Sequence, residues 1–485
     1  MAERGRAVMV CGTTSGAGKS FLATALARWY ARAGFKVAPF KAQNMSNNAR
    51  VVDGGEIGSA QYFQALAARR EPDVRMNPVL LKPETPTRSQ VILLGQRHDE
   101  IAAIDWRARE PFLWPPIRAS LDALLDEHEI VVIEGAGSPA EINLRSSDLV
   151  NMRVAAHARA ATLIVCDIDR GGAFAHLYGT YQLLSTQERA LVRGFVLNRF
   201  RGDRALLDPG PRMLESLTGV PMLAVLPMWR DHGLPEEDGL YGSAAAAADG
   251  ETPARTIAIV AYPQISNLDE FAPLARVANA RLRWVREPDA LERADLVILP
   301  GSKHVAADLE WLRRRGIGAA VAAHVAAGKP LLAICGGLQM LGREIRDPHR
   351  VEAAAQGLGL LPCTTEFAAE KRYRRGHYRL GATGGFWKAL DGVAYDGYEI
   401  RHGETAPAAP AAVERGPALT PVLGAGCGWQ CGATLALYTH GLFENAAVMH
   451  ALFGHETPTL DDTLDRLADF VDAEFGRGPL MQLVA

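Results

Sequence analysis

Two short stretches of this chain place reactive side chains where a strand gives way to a helix. Residues 8–20, VMVCGTTSGAGKS, run from an apolar strand into a glycine-rich turn that closes on Lys19 and Ser20. Small residues in such a turn let backbone N–H groups at Thr14, Gly16 and Gly18 point inward around phosphate oxygens, while the lysine and the hydroxyl reach the outer phosphates and Mg²⁺. The strict pattern puts glycine where Thr13 stands, and Gly12 comes one step earlier, so the loop is a variant. Residues 329–342, KPLLAICGGLQMLG, deliver Cys335 into a Gly-Gly turn at a helix start, the arrangement of a nucleophile elbow. A thiol there is exposed at its sulfur and favoured as thiolate by the helix N-terminus. Backbone N–H groups around Gly336, Gly337 and the strand-end Gly301 can hold an oxyanion. The base must come from elsewhere, and His440 in ALYTHGLFEN is the best candidate, with Glu444 and Asn445 just beyond it.

Acidic and amide side chains gather at further strand ends. IVVIEGAG closes an apolar strand on Glu134, and ATLIVCDIDRGG closes another on Asp167 and Asp169. An acid ending a buried parallel strand in a phosphate-loop domain holds Mg²⁺ directly or through water, so Ser20, Glu134 and Asp167 are candidate metal ligands. The segment FKAQNMSNNARVVDGGEIGSAQ offers Lys41, Gln43, Asn44, Asp53 and Glu56 as candidates for phosphate, metal or an amide-bearing substrate. Of these, Glu56 is expected at the metal and the other four at the substrate. Asn198 ends the strand in VRGFVLNRFRGD, where its amide could read a purine edge. GYEIRHGET adds a polar cluster of Tyr398, Glu399, Arg401 and His402.

The elements that must position these groups alternate strand and helix from Ala7 to about Trp229, which predicts a mostly parallel sheet with helices on both faces. The text then turns rich in Gly, Pro, Ala and acid, and a second α/β pattern starts at TIAIVAYP. The expected division is 1–231 for the nucleotide domain, 232–254 for a linker, 255–450 for the cysteine domain and 451–485 for a C-terminal amphipathic segment with a packing role. With 485 residues, 48% hydrophobic and a net charge of −3, the chain has no electrostatic case for nucleic acid or membrane. Six scattered cysteines in so long a chain fit reduced thiols, and no early apolar run is long enough for a signal peptide. A cytoplasmic protein is expected; its oligomeric state is not readable from these features.

Along nearly its whole length the chain resembles the cobyric acid synthases. The residues that carry the resemblance are GTTSGAGKS, FKAQNMSNNARVVDGGEIGSAQ, MNPVLLKP, IEGAGSPAEINL, DIDRGGAFA, LNRFRGD, ISNLDEF, LPGSKHVAADL, ICGGLQMLG and YTHGLFEN. In the related amidases of the corrin a and c side chains, AQNMSNNARVVDGGEIGSAQ and MNPVLLKP would not be expected. The resemblance implies a dethiobiotin-synthetase-like P-loop domain followed by a class I glutamine amidotransferase-like domain. It also implies ATP and Mg²⁺ as cofactors, and glutamine, ATP and a corrinoid as small-molecule partners. Cys335 would release ammonia from glutamine with His440 as proton donor, and ATP would activate corrin carboxylates at the b, d, e and g positions. An enclosed path would carry the ammonia. Class I amidotransferases place a glutamate two residues after the histidine, where this chain has Leu442, and the family usually reads Tyr-Glu-Ile-His where this chain has Arg401 followed by His402. Two other readings compete: an amidotransferase ligase for another carboxylate, and an ATP-driven partitioning switch, which would need no thiol at 335.

Overall fold

The computed structural model describes residues 4–485 except 86–87, 231, 235–254, 279, 409–416, 425 and 455–458. It separates into two compact units, one formed by Met1–Pro235 with Thr459–Ala485 and the other by Glu236–Pro458. The expected linker 232–254 lies outside the described residues except for 232–234.

In the first unit, six strands form one parallel sheet: β1 (Arg6–Gly12), β2 (Val37–Phe40), β3 (Ile130–Glu134), β4 (Ala161–Asp167), β5 (Val192–Phe200) and β6 (Met222–Pro227), in the order β6-β5-β4-β1-β3-β2. Successive residues of β1 serve opposite faces. Met9 and Cys11 enter one apolar cluster, while Val8 and Val10 enter another that includes helix α1 (Lys19–Arg32). The sheet is therefore covered on both sides, as the near-continuous apolar strands predict. Its order reverses about β1, so the carboxyl ends of β1, β3 and β4 converge on one crevice, where doubly wound sheets bind ligands. Helix α2 (Ser59–Ala67) follows the amide-rich segment and packs beside α1.

The C-terminal helix Leu460–Phe475 completes this unit. Leu464, Leu467, Ala468, Val471 and Phe475 join the cluster under α1. The fully buried Arg28 of α1 reaches Asp465 and Asp461, each at 2.8 Å, and Trp29 Nε1 donates to Asp472 at 2.8 Å.

The second unit is built on β7 (Arg255–Val260), β8 (Ala280–Val285), β9 (Leu296–Leu299), β10 (Leu331–Ile334), a long hairpin of β11 (Cys363–Arg379) with β12 (Ala394–Pro407), and β13 (Leu419–Leu423), β14 (Gly428–Cys431) and β15 (Thr434–Leu437). Its main sheet runs β8-β7-β9-β10-β15-β14-β13, parallel from β8 to β15 and antiparallel beyond. All four residues of the central β10 are fully buried, and the short helix α3 (Gly336–Leu341) starts immediately after Cys335. Among the described residues no helix is long and apolar enough to cross a membrane, and all six cysteines are free and buried.

Candidate active sites

The phosphate loop leaves β1 at Gly12 and enters α1 through Gly18, whose φ of +99° is one that side chains avoid. A Cβ at Gly18 would lie 2.0 Å from the Asn198 amide nitrogen, which donates to the Ala17 carbonyl at 2.9 Å. Asn198 thus buttresses the loop backbone. Gly16 is exposed at the turn, with the Arg170 guanidinium beside it. Lys19 Nζ donates to the carbonyls of Thr14 (3.0 Å) and Gly137 (3.1 Å), which holds it across the mouth of the loop between β1 and β3.

Glu134, at the end of β3, is the centre of this crevice. Ser20 Oγ and Lys41 Nζ both donate to its Oε1 at 2.8 Å, and Gln64 Nε2 of α2 donates to Oε2 at 2.5 Å. Burial alone would raise this carboxyl, but the Lys41 ammonium and the hydrogen bonds from Lys41, Gln64 and Ser20 outweigh it and hold the group below the usual carboxylate range. Asp167, at the end of β4, is also buried. It accepts from the Asp169 backbone N–H at 3.0 Å and pairs with Arg199 at 2.9 Å and Arg170 at 3.4 Å.

The residues here fit Mg²⁺. Ser20 and Glu134 are hard oxygen donors already in contact, and the buried Thr14 hydroxyl and Gln64 carbonyl oxygen have no hydrogen-bond partner. No group of three acidic, histidine or cysteine ligands occurs among the described residues. Mg²⁺ held through phosphates and waters needs only one or two carboxylates.

The other candidates of the amide-rich segment lie outside this cluster. Glu56 is fully buried in an ion pair with Lys82. Gln43 and Asn44 sit on a short strand paired with Val79–Thr85, and Asn44 donates to Gln61 at 3.1 Å. Asp53 is exposed on the turn between Ala49–Val52 and Gly55–Gly58.

In the second unit Cys335 adopts φ +50°, ψ −107°, a sparsely populated conformation that turns the thiol out of β10. Its backbone N–H donates to Leu437 O of β15 at 2.7 Å. The glycines are there because nothing larger fits. A Cβ at Gly336 would come within 2.7 Å of the Ser302 nitrogen, one at Gly337 within 2.2 Å of Leu299 O, and one at Gly301 within 2.8 Å of the His440 ring. Gly301, Gly336, Cys335 and His440 are therefore brought into one site.

His440, 1% exposed, follows β15 and is fixed from several sides. Its ring stacks on Tyr398 with centroids 5.2 Å apart, its backbone pairs with Tyr398, and the Tyr398 hydroxyl oxygen accepts from Asn267 Nδ2 at 2.7 Å. Its Nδ1 lies 2.8 Å from Glu270 Oε1, and Glu270 Oε2 accepts the Gly441 N–H at 2.9 Å. Burial pushes the imidazolium down, but the Glu270 carboxylate, with a smaller contribution from Cys335, outweighs it and holds it up at about 10. An imidazole held by a carboxylate in the same site as a thiol can take the thiol proton and return it to a leaving group.

Glu270 is the residue that reading along the chain did not single out, although its motif ISNLDEF was noted. Leu442, at the position where a class I amidotransferase carries its glutamate, is fully buried in the core of this unit. The carboxylate comes instead from the 3₁₀ segment Leu268–Arg276, 170 residues earlier in the chain. Of the polar cluster on β12, Arg401 points inward at 5% exposure, while His402 is half-buried with its Nδ1 3.2 Å from Ala368 O.

Two family models match the two units. Residues 8–238 match the CobQ/CobB/MinD/ParA nucleotide binding domain, and residues 256–448 match the CobB/CobQ-like glutamine amidotransferase domain. The cobyric acid synthase of Variovorax paradoxus (strain S110) is 59% identical over 482 residues, covering 99% of both chains. The chain belongs to the cobyric acid synthase family. The cobyric acid synthase of Leptothrix cholodnii is likewise 59% identical, over 499 residues, covering 99% of this chain and 97% of its own. As a member of this family the chain is an amidating enzyme with a nucleotide-binding and a glutamine amidotransferase domain, each carrying one of the two sites described above.

Proposed function

We propose that the chain catalyses ATP- and glutamine-dependent amidation of the b, d, e and g side-chain carboxylates of adenosylcobyrinic acid a,c-diamide, giving cobyric acid. The observation that carries this reading is the presence in one chain of a cysteine elbow at Cys335 with a His440–Glu270 pair in the same unit, and a phosphate loop whose Ser20 meets the strand-end acid Glu134.

Cys335 attacks the glutamine carboxamide carbon, and the oxyanion is met by backbone N–H groups at Gly301 and Gly336. His440 gives its proton to the departing ammonia, and water then frees glutamate from the thioester. In the first unit the γ-phosphoryl group of ATP passes to a corrin carboxylate, turning a poor leaving oxygen into a good one, and ammonia displaces phosphate. Lys19 and the N–H groups of the loop, including those at Thr14, Gly16 and Gly18, would hold the transferring charge. Ser20 and Glu134, with Asp167 at the end of β4 on the other side of β1, would hold Mg²⁺, which supplies neutralisation of that charge when bound. Lys41 would keep Glu134 ionised. Gln43, Asn44 and Asp53 remain our candidates for the corrinoid side of the crevice.

The test is mass spectrometry of adenosylcobyrinic acid a,c-diamide incubated with the enzyme, ATP, Mg²⁺ and glutamine. Four successive exchanges of carboxyl OH for NH₂ are expected, and none without ATP. An unchanged corrinoid in the full mixture would overturn the substrate assignment.

A second expectation concerns Glu270. Glu270→Gln should lower glutamine hydrolysis by about 10²- to 10⁴-fold, because the imidazole loses both its orientation and the charge that stabilises its protonated form. The same loss moves the alkaline limb of the glutaminase pH profile downward, since less holds the proton on His440. Amidation from free ammonia should continue. A glutaminase profile unchanged in rate and pH would remove Glu270 from the reaction.

A further inference from the structure

Gly301 and Ser302 form one wall of the elbow site. A Cβ at Gly301 would lie 2.8 Å from the His440 ring carbon Cε1, and one at Gly336 would lie 2.7 Å from the Ser302 nitrogen. This dipeptide is thus packed against both the base and the start of the elbow helix. Its sheet partner is the equally short Ile265–Ser266, antiparallel, in a sheet of two strands. So few paired residues are marginal at best without further support.

Asp308 supplies that support. It follows Ser302 within the stretch LPGSKHVAADL, in the first turn of the helix Val305–Arg314, and is 1% exposed. Its Oδ2 accepts from Ser302 Oγ at 2.6 Å, and its Oδ1 accepts from the backbone N–H of Gln264, the residue before Ile265, at 3.0 Å. One carboxylate therefore ties the two short strands together, one oxygen to each. Around this tie Ser302 Oγ accepts the His304 N–H at 3.1 Å, and the Lys303 N–H donates to Gln264 O at 2.9 Å. Burial pushes the Asp308 carboxyl up to about 6 against its two hydrogen bonds, so keeping it charged here costs folding free energy.

We propose that Asp308 is a positioning residue for glutamine hydrolysis: its carboxylate fixes the Gly301–Ser302 backbone, and with it the Gly301 N–H that meets the oxyanion. Donors placed in advance act on charge that develops in the transition state and cost no rearrangement at that moment. The planar carboxamide of bound glutamine gains less from them. Loss of Asp308 therefore falls on kcat and not on KM. The proposal rests on the reading of Cys335 as nucleophile.

The test sets glutamine beside glutamate γ-semialdehyde, an inhibitor in which CHO replaces the carboxamide, in the full chain. The Cys335 thiol adds across its C=O, sulfur to carbon and proton to oxygen, and the oxygen of the adduct stands where the intermediate's does. Asp308→Ala should lower kcat for glutamine by about 10²-fold and leave KM within about threefold. Its inhibition constant for the aldehyde should rise by a comparable factor. Iodoacetamide alkylates the same sulfur by displacing iodide and forms no oxyanion, so its rate should stay within about twofold of native. Ser302→Ala removes one of the two ties and should show the same pattern at about tenfold. An unmoved aldehyde constant in Asp308→Ala overturns the proposal, as does a KM or an alkylation rate that moves as far as kcat, since the whole elbow would then have loosened. Should Asp308→Ala not fold, Ser302→Ala and Asp308→Asn decide, and native aldehyde affinity in both overturns it. Glutamine hydrolysis that survives full alkylation of Cys335 would instead reject the nucleophile reading, so the two failures are distinguishable.

Discussion

Cys335→Ala is expected to abolish glutamine-dependent amidation, by about 10⁴-fold or more, and to leave amidation from free ammonia within about twofold of the native rate. The size follows from chemistry. Without the sulfur no thioester forms, and nothing else at the site can replace the nucleophile. The selectivity follows from architecture, because the phosphate loop and Glu134 belong to a different compact unit from the elbow. The substitution is also mild. Alanine keeps the backbone N–H that donates to Leu437 O and meets the same φ of +50° that cysteine already tolerates, so the elbow is neither relieved nor further strained. What is lost is one sulfur at a site 6% exposed. Glutamate release and corrinoid mass, measured with each nitrogen donor in turn, check both halves. Full activity with glutamine would show that the thiol is not the nucleophile, whereas loss with both donors would mean that the elbow also serves the amidation step.

Both centres could be found in the sequence because each is a local event. A buried strand, a turn of residues too small to block the backbone and a helix start follow one another within about fifteen residues, and each signal supports the next. Gly18 and Gly337 illustrate this, since a Cβ at either would lie within 2.2 Å of a neighbouring atom. Glu134 was legible for the same reason, an acid closing an apolar run. What was not legible is pairing across the chain. Glu270 reaches His440 over 170 residues and Arg28 reaches Asp465 over 437, and nothing local distinguishes those carboxylates from solvated ones. Glu56 shows the converse. It stands in a segment of chemically suggestive residues, but its partner is Lys82, on the strand Val79–Thr85. The difference between Arg401 and His402 could not be read either, because it depends on which residue of β12 turns into the core and which toward the hairpin partner.

Lys19→Met is expected to lower amidation by about 10³-fold with either nitrogen donor, because the charge that meets the transferring phosphoryl group is removed. This is the counterpart of the cysteine variant, and it separates the two centres from the opposite direction. Methionine preserves the aliphatic stem that packs at Gly12, where a Cβ would lie 3.1 Å from the lysine Cδ. The ammonium's bonds to Thr14 O and Gly137 O are lost, at about 1 kcal/mol each, which a protein of this size tolerates. Thermal melting should therefore change little while ATP consumption collapses, and Cys335 should alkylate as in the native chain. Glu134→Gln would be a poorer probe, since it strands Lys41, 5% exposed, without its carboxylate and mixes a folding cost into the rate. If Lys19→Met amidates at the native rate, the loop does not hold the phosphate that is transferred, and the nucleotide would have to bind elsewhere in the unit.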